Sequence, residues 1–285
     1  MIKIENHAAR QRPSGWPGME NVSARHFAAG LSRPVDDSLV VEGPLQIILD
    51  GVPYSVTMRT PGEDPLLAQG LLFTEGLLAC ASEAAVCVST DSATGGTDTV
   101  SVTRNEAARA RKSVPRRRLA SNASCGICGL ESAADLTKPA GRKHSLSLSP
   151  SLLPRLQARM RSRQALFAAT GGSHAAALFD IQGELLVLME DVGRHNAVDK
   201  AIGFLFSQNS LSKAAILCIS GRVSYEIVTK AARAGIAFLV AVSAPSTLAV
   251  EMCREAGITL IAFCRGERAT VYSHGYALEA VDERV

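Results

Sequence analysis

A chain of 285 residues, 47% of them hydrophobic and 20% charged, can bury a full core and is far from the composition of a disordered protein. Its net charge of only +3 argues against a nucleic-acid binder that acts by neutralising phosphates. Seven cysteines, an odd number with uneven spacing, argue against the disulfide framework of a secreted protein and favour free thiols.

The N-terminal residues 1–35 are predicted to be a polar tail, because they contain several prolines and glycines and show neither helical nor strand periodicity. They include no apolar stretch of the kind found in signal peptides. No later window approaches the roughly eighteen apolar residues of a membrane span. We therefore expect a cytoplasmic protein that does not bind membranes.

An N-terminal lobe of mixed α/β structure is predicted over residues 36–110. Strand-like runs at 45–49 and 52–58 flank Asp50-Gly51, a dipeptide typical of tight β-hairpin turns. This pattern predicts a hairpin at the start of the lobe.

The rest of the lobe adds one helix and one strand. Residues 61–78 combine an aspartate and a proline suited to a helix start with leucines at three- and four-residue spacing, which predicts a helix. Residues 98–103 alternate between polar and apolar side chains, which predicts a further strand.

Residues 111–150 are predicted to be a loop or linker between two lobes, within a stretch of weak periodicity that runs from 104 to 149. Long segments of this kind are uncommon in compact proteins and are often functional. The run 111–118 holds five cations and no acid. We favour a solvated loop, and the alternative is a docking surface for an acidic partner or a phosphorylated ligand.

The strongest chemical signal is the Cys-Gly-Ile-Cys motif at Cys125 and Cys128, because two thiols at this spacing can act in sequence on one sulfur atom. Adjacent glycines permit a tight turn that leaves the thiols accessible. Structural zinc is a weaker alternative, since no second Cys-x-x-Cys is present. A thioredoxin-like redox pair also remains open, although such pairs sit at a strand-to-helix turn.

A C-terminal α/β lobe is predicted over residues 151–285, where buried-type strands alternate with helical patterns. The predicted strands are 175–179, 185–189, 215–220, 237–242 and 259–263, and the predicted helices are 194–206, 224–234 and 246–256. This alternation favours a largely parallel sheet flanked by helices, with a ligand site beyond the strand ends.

Polar motifs follow these strand ends. Hydroxyl groups and backbone N–H groups at helix starts suit a phosphate, and arginines can contact phosphate or a purine edge in a bidentate way. The candidate ligand-binding residues are His174, Arg194, Ser220, Arg222, Ser243, Phe263, Cys264, Arg265, Gly266, Glu267 and Arg268. Taken alone, His174 is more simply a hydrogen-bonded turn histidine. No Walker or G-x-G-x-x-G motif is present, so a standard nucleotide-binding fold is not predicted.

Over about residues 40–275 the chain resembles the FdhD family, the formate dehydrogenase accessory sulfurtransferases. The resemblance is carried, in this order, by C-G-I-C, T-G-G-S-H-A-A-A-L, E-D-V-G-R-H-N-A-V-D-K, S-G-R-V-S-Y-E, S-A-P-S-T-L-A-V and F-C-R-G-E-R. It implies that sulfur passes as a persulfide from a cysteine desulfurase to the molybdenum cofactor, a bis(molybdopterin guanine dinucleotide), before the cofactor enters formate dehydrogenase.

The same resemblance assigns roles to individual residues. Cys125 would carry the persulfide with help from Cys128, and residues 263–268 would bind the cofactor. The C-terminal lobe would resemble the cytidine deaminase fold, and the protein would be a homodimer.

Two other classes of protein compete with sulfur transfer. A zinc deaminase needs H-x-E and P-C-x-x-C, and neither motif is present. A chaperone that binds the molybdenum cofactor without transferring sulfur remains the main alternative, beside a thiol redox protein.

Overall fold

A computed structural model describes residues 18–89, 97–113 and 145–279. Within these ranges the chain forms a two-stranded ribbon, a four-stranded sheet and a six-stranded sheet. This arrangement confirms the predicted mixed α/β class. None of the helices in the described ranges has the length and apolar character needed to cross a lipid bilayer.

The ribbon consists of β1 (Met19–Ala28) and β2 (Leu31–Val40), joined by a turn at Ala29 and Gly30 with positive φ angles of 50° and 79°. It shows that the predicted tail is wrong for the part of residues 1–35 that is described. Most of its side chains are exposed on both faces. Strand periodicity arises from burial on one face, so this ribbon leaves no such signal in the sequence. Residues 1–17 lie outside the described ranges.

The four-stranded sheet has the order β4-β3-β6-β5. Its strands are β3 (Gly43–Leu49), β4 (Val52–Arg59), β5 (Ala84–Ser89) and β6 (Asp98–Arg104). The predicted hairpin and the predicted strand at 98–103 are confirmed, whereas β5 was not predicted. Asp50 and Gly51 both have positive φ, at 52° and 79°, as the tight hairpin turn requires.

Two short helical segments flank this sheet, a 3-10 helix at Ala81–Glu83 and α2 at Glu106–Arg111. The interpretation of the stretch 104–149 as a loop or linker is wrong for α2, which begins because Asn105 Oδ1 accepts a 2.9 Å hydrogen bond from Ala108 N. Arg111 donates to both carboxylate oxygens of Glu83, at 2.5 and 2.6 Å, and this contact holds the pKa of Glu83 at about 2. The first arginine of the basic run is thus paired, and residues 114–144 lie outside the described ranges.

The six-stranded sheet has the order β12-β11-β10-β9-β7-β8. Its strands are β7 (His174–Phe179), β8 (Leu185–Asp191), β9 (Ile216–Ile219), β10 (Phe238–Ala241), β11 (Thr259–Arg265) and β12 (Arg268–Val271). All five strands predicted for this lobe are confirmed, and β12 is additional.

Helices cover both faces of this sheet. They are α3 (Leu152–Arg163), α4 (Ala165–Thr170), α5 (Arg194–Ser207), α6 (Tyr225–Arg233) and α7 (Thr247–Ala256), with 3-10 helices at Leu211–Lys213 and Gly275–Ala277. The three predicted helices are confirmed. The helix α3 was missed although it buries Leu153, Leu156 and Met160, whose three- and four-residue spacing is a helical signal.

The sheet is mixed, so the prediction of a largely parallel sheet is wrong. Only β9–β10 and β10–β11 pair in parallel, while β7–β8, β7–β9 and β11–β12 are antiparallel. The connections from β7 to β8 and from β11 to β12 are too short for the crossover that parallel strands need. Since β7 runs against β9, His174 at its start lies at the same edge as the ends of β9, β10 and β11.

Helix α1 (Asp64–Thr74) confirms the helix predicted within 61–78, and it joins the two lobes by crossing α5. The crossing depends on two glycines. A Cβ atom on Gly70 would lie 1.9 Å from the Asp199 carbonyl oxygen, and one on Gly203 would lie 2.0 Å from the Leu66 carbonyl oxygen. Any larger residue would therefore push the two helix backbones apart.

Replacing Gly70 with alanine should lower the free energy of unfolding by more than about 2 kcal/mol, although alanine favours an isolated helix by about 1 kcal/mol. The cost arises because the added methyl group meets backbone, which cannot rotate away. Urea unfolding would measure the change. Gly275→Ala is the control, since a Cβ there would meet only Val271 Cγ1 at 3.6 Å. Equal stability of the two variants would contradict this account of the crossing.

Candidate functional site

Most of the predicted ligand-binding residues gather at the edge of the six-stranded sheet where β9, β10 and β11 end. His174 opens β7, Ser220 follows β9 and Ser243 follows β10. The loops after β9 and β10 are joined by a parallel bridge between Val223 and Pro245. The edge therefore forms a continuous row of polar loops and helix starts.

His174 lies in a cationic cluster at this edge. Its Nδ1 is 3.4 Å from Ser220 Oγ, which also accepts a 2.9 Å hydrogen bond from Ala175 N. Burial lowers the pKa of His174, and the neighbouring Arg194, His195 and Arg222 lower it further. The ring is consequently neutral at neutral pH and can accept a hydrogen bond from a ligand.

A second group, on α5 and at the start of α6, lies beside this cluster. His195 Nε2 is 3.0 Å from Glu226 Oε2 and 3.2 Å from Ser224 Oγ, and Ser224 Oγ donates to Glu226 Oε2 at 2.9 Å. Burial tends to raise the pKa of Glu226, but the contacts with His195, Ser224 and Arg194 together hold it below its ordinary value. Glu226 is therefore an ionised carboxylate among cations, a residue that sequence reasoning missed.

Two buried polar atoms of these groups are not satisfied by the protein. Within the described part of the chain, Arg194 Nε and Glu226 Oε1 have no hydrogen-bond partner. A buried polar atom without a partner costs about 1–3 kcal/mol, so such atoms usually meet water or a ligand. Arg222 is exposed at the same edge. The site thus has spare donor and acceptor capacity.

Other members of the motif at 190–200 serve the fold. Glu190 accepts three 2.8 Å hydrogen bonds, from Leu166 N, Phe167 N and Ser173 Oγ. It thereby satisfies the free N–H groups at the start of α4. The sequence motif therefore mixes site residues with a residue that supports the loop before β7.

Asp191 ties the two lobes together. It is fully buried, forms a 2.8 Å ion pair with Lys200 and accepts a 3.1 Å hydrogen bond from Thr60 N. Lys200 Nζ in turn donates to the Thr60 carbonyl oxygen at 2.8 Å, and Asn196 Nδ2 donates to Asp191 Oδ1 at 3.0 Å. These contacts hold the start of α5, and with it Arg194 and His195, against the first lobe.

A buried ion pair lies deeper between the helices. Lys230 Nζ on α6 is 2.7 Å from both carboxylate oxygens of Asp199 on α5, and Thr74 Oγ1 donates to Asp199 Oδ1 at 3.2 Å. Burial raises the pKa of Asp199, and the charge of Lys230 opposes that rise. Three helices are therefore joined by one polar cluster.

The predicted segment 263–268 forms a β-hairpin at the far end of the same edge. Phe263 has a positive φ of 51° and is 44% exposed, a strained backbone that displays an aromatic ring. Its N–H donates to the Ser243 carbonyl oxygen at 3.2 Å, and Arg265 Nε donates to the Val242 carbonyl oxygen at 3.3 Å. An open groove of about 720 Å³ is lined by Phe263, Arg265, Glu267, Arg268, Ala269 and Thr270.

The cysteines of the described ranges do not form a reactive pair. Cys80 and Cys87 are exposed on the first lobe. The other three are buried, and burial raises the pKa of Cys218, that of Cys253 to about 12 and that of Cys264 to about 11. Cys264 thus turns into the core rather than into the groove. Cys125 and Cys128 lie outside the described residues.

Comparison with known proteins adds sequence and fold relatives. A profile of the FdhD/NarQ family matches residues 40–279. Proteins named sulfur carrier protein FdhD are similar to this chain. The one from Nocardia farcinica is 42% identical over 86% of this chain and 89% of its own length. The one from Streptomyces avermitilis is 43% identical over 87% and 92%.

Similarity extends to more distant organisms. The sulfur carrier protein FdhD of Sulfolobus acidocaldarius is 38% identical over 86% of this chain and 92% of its own. The crystal structure of a formate dehydrogenase accessory protein from Desulfotalea psychrophila superposes with a TM-score of 0.72 at 22% identity, covering 92% of this chain and all of that one. At that identity the structural match supports the shared fold.

Proposed function

Because the chain belongs to the FdhD/NarQ family, we propose that it is a sulfur carrier that serves formate dehydrogenase. The similarity to sulfur carrier proteins at about 40% identity over most of both chains carries this proposal. The protein acts in the cytoplasm, as a homodimer. Its donor is a cysteine desulfurase, and the acceptor of the sulfur is the molybdenum cofactor.

The first step is a transfer of sulfane sulfur between thiols. The Cys125 thiolate attacks the outer sulfur of the desulfurase persulfide, the S–S bond of the donor breaks, and the donor thiolate leaves. Cys125 then holds the persulfide, and Cys128 assists its release. No net oxidation occurs in this exchange, because one persulfide is consumed and one is formed.

The acceptor is the bis(molybdopterin guanine dinucleotide) form of the cofactor, held as a substrate at the polar edge of the six-stranded sheet. Arg194 and Arg222 suit its phosphates, as do Arg265 and Arg268 across the groove. The exposed ring of Phe263 offers a surface on which a guanine base can stack. The unsatisfied Nε of Arg194 fits this view, since a bound polar ligand would satisfy it.

A chaperone that binds the cofactor without transferring sulfur is the second candidate. The observation that favours it is that the described edge holds cations and an aromatic ring, while the three described cysteines of the C-terminal lobe are all buried. The two candidates differ in one property, the formation of a persulfide on Cys125.

Mass spectrometry after incubation with a cysteine desulfurase and cysteine distinguishes them. We expect a gain of one sulfur atom, reversible by reductant, on the peptide that contains Cys125. The Cys125→Ala variant should show no gain, and Cys128→Ala shows whether the second thiol is needed for loading. No gain on the wild-type protein with a demonstrably active desulfurase would favour the chaperone.

Phe263→Gly should weaken the binding of GDP about tenfold, by loss of stacking worth about 1–3 kcal/mol. The same change should raise the free energy of unfolding, because glycine adopts the positive φ at this position without strain. Titration calorimetry and urea unfolding measure the two effects, and Phe263→Tyr is the matched control that keeps the ring. Unchanged GDP affinity in Phe263→Gly would remove Phe263 from the binding site.

A further inference from the structure

Glu226 carries the opposite charge to the arginines at the polar edge of the six-stranded sheet. It is an ionised carboxylate that lies beside His195 and near Arg194. A phosphate is attracted by the cations of this edge and repelled by this carboxylate. The phosphate contacts proposed for Arg194 and Arg222 therefore give no reason for Glu226 to be there.

The contacts of Glu226 within the protein use only one of its two carboxylate oxygens. Oε2 is 3.0 Å from His195 Nε2 and accepts a 2.9 Å hydrogen bond from Ser224 Oγ. Oε1 is buried and has no hydrogen-bond partner in the described part of the chain. A carboxylate in the first turn of α6 also interacts favourably with the helix N-terminus, but that gain is smaller than the cost of a buried acceptor without a partner. The free oxygen therefore indicates a ligand.

Arg194 contributes a donor with the same property. Its Nε is buried and, among the described residues, has no hydrogen-bond partner. The charge of Arg194 helps to lower the pKa of Glu226, so the two side chains are neighbours, yet within the described ranges they form no ion pair with each other. A donor and an acceptor that do not satisfy each other are thus both left for a third group.

The loop at residues 220–224 contacts both side chains. A Cβ atom on Gly221 would lie 3.3 Å from Arg194 Cδ, and Ser224 donates to Glu226. Loops yield more easily than helices or strands, so this loop is the segment that would move to admit a ligand. Because the protein already shields both atoms from water, a ligand gains their hydrogen bonds without first displacing solvent from them.

The two free atoms define the chemistry of the ligand edge. The lone pairs of Oε1 are unused, so Glu226 can accept from two N–H groups, while Arg194 Nε–H can donate to one acceptor. A 2-amino-4-oxopyrimidine ring presents a carbonyl oxygen, a ring N–H and an amino group in a row along one edge, and guanine and pterin both contain this ring. Adenine has no carbonyl oxygen, and an ammonium group is repelled by Arg194.

We propose that Glu226 and Arg194 bind the 2-amino-4-oxopyrimidine edge of a guanine or pterin ring. Glu226 Oε1 accepts from the ring N–H and the 2-amino group, and Arg194 Nε donates to the carbonyl oxygen. His195 and Ser224 are positioning residues, since they fix Oε2 and thereby the place of Oε1. The Nη groups of Arg194 stay available for a phosphate. The inference rests on the proposed function, whose cofactor carries both rings, and it names the side chains that select them.

Pairs of ligands that differ at the 2-position test this inference by titration calorimetry on the intact protein. IDP is GDP without the 2-amino group, and lumazine is pterin with an oxygen in place of that group. We expect the wild type to prefer GDP to IDP, or pterin to lumazine, by about tenfold or more, because the second ligand lacks a hydrogen bond to a charged group. Glu226→Gln should abolish the preference, since its amide is uncharged and keeps the size of the side chain.

The outcome also identifies the ring. A preference that Glu226→Gln removes only for the nucleotides assigns this edge to guanine, and one that it removes only for lumazine and pterin assigns it to the pterin. A wild-type protein without a preference in either pair would overturn the inference. So would a Glu226→Gln variant that keeps the preferences of the wild type.

The ratio of two affinities separates recognition from stability, because a variant that only disturbs the fold weakens both members of a pair alike. Phe263→Gly should also weaken GDP and IDP equally, since stacking does not depend on the amino group. Glu251→Gln, a change of an exposed glutamate on α7, is the matched control and should keep both ratios. Persulfide formation on Cys125 is measured separately, so failure of this inference and failure of sulfur transfer are distinguishable.

Discussion

Replacing Cys125 with alanine should reduce formate dehydrogenase activity to background in cells whose only copy of this protein carries the change. The alanine side chain has no sulfur on which a persulfide can form, so the relay from the desulfurase loses its carrier. The measurement is formate-dependent dye reduction in extracts, beside the thermal midpoint of the purified variant, which should match that of the wild type.

The control for this experiment is Cys87→Ala, which removes another exposed thiol, on β5. It should keep full activity, because the resemblance that assigns the carrier role points to the Cys-Gly-Ile-Cys motif alone. Full activity with Cys125→Ala would exclude Cys125 as the carrier. An equal loss with Cys87→Ala would show that the readout responds to thiol loss in general.

Lys230→Met should lower the free energy of unfolding by about 3–5 kcal/mol, the cost of breaking a buried ion pair by removing one partner. Both partners are almost completely buried, with side chains 11% and 3% exposed for Lys230 and Asp199. Without the Lys230 ammonium group, the carboxylate of Asp199 stays in a low-dielectric interior, and among the described residues only Thr74 donates a hydrogen bond to it.

Lowering the pH from about 8 to about 5 should reduce the destabilisation of Lys230→Met. Without Lys230, its positive charge no longer opposes the rise that burial causes in the pKa of Asp199. The folded protein therefore takes up a proton that the unfolded chain does not bind at these pH values. Stability therefore rises as the pH falls through the folded-state pKa. Urea unfolding across this range measures the effect for the variant and the wild type.

The double variant Asp199→Asn/Lys230→Met is the control for that interpretation. It removes the unpaired charge and keeps an oxygen that can accept from Thr74, so at least about 2 kcal/mol should be recovered. It should also lose the additional pH dependence. If the double variant is as unstable as Lys230→Met, the damage comes from packing rather than from the unpaired charge.

How far the sequence alone determines the structure depends on the kind of signal. The alternation of strands and helices in the C-terminal lobe was predicted correctly. Each predicted strand or helix either buries one face, which gives a periodic apolar pattern, or is buried throughout, which gives a continuous apolar run. Asp50-Gly51 predicted its hairpin, because few residues tolerate two successive positive φ angles. The ordered motifs also indicated the family correctly, since their residues match at defined positions.

Other features were decided only in three dimensions. Strand direction depends on the length of the connections and on which neighbour a strand joins. Because β7 runs antiparallel to β9, the sheet is mixed rather than largely parallel, and His174 lies at the edge where β9, β10 and β11 end. Glu226 became a site residue because α5 and α6 place it beside His195.

The ion pair of Asp199 with Lys230 and the contact of Asp191 with Thr60 join residues 31 and 131 positions apart. No local pattern marks such pairs. The ribbon of β1 and β2 was invisible for the opposite reason, since strands exposed on both faces have no buried side to give them a period. The sequence thus determined the elements that bury an apolar face and the motifs that name the family. Only tertiary packing decided which polar groups meet, because those contacts depend on the relative placement of elements that are distant in the chain.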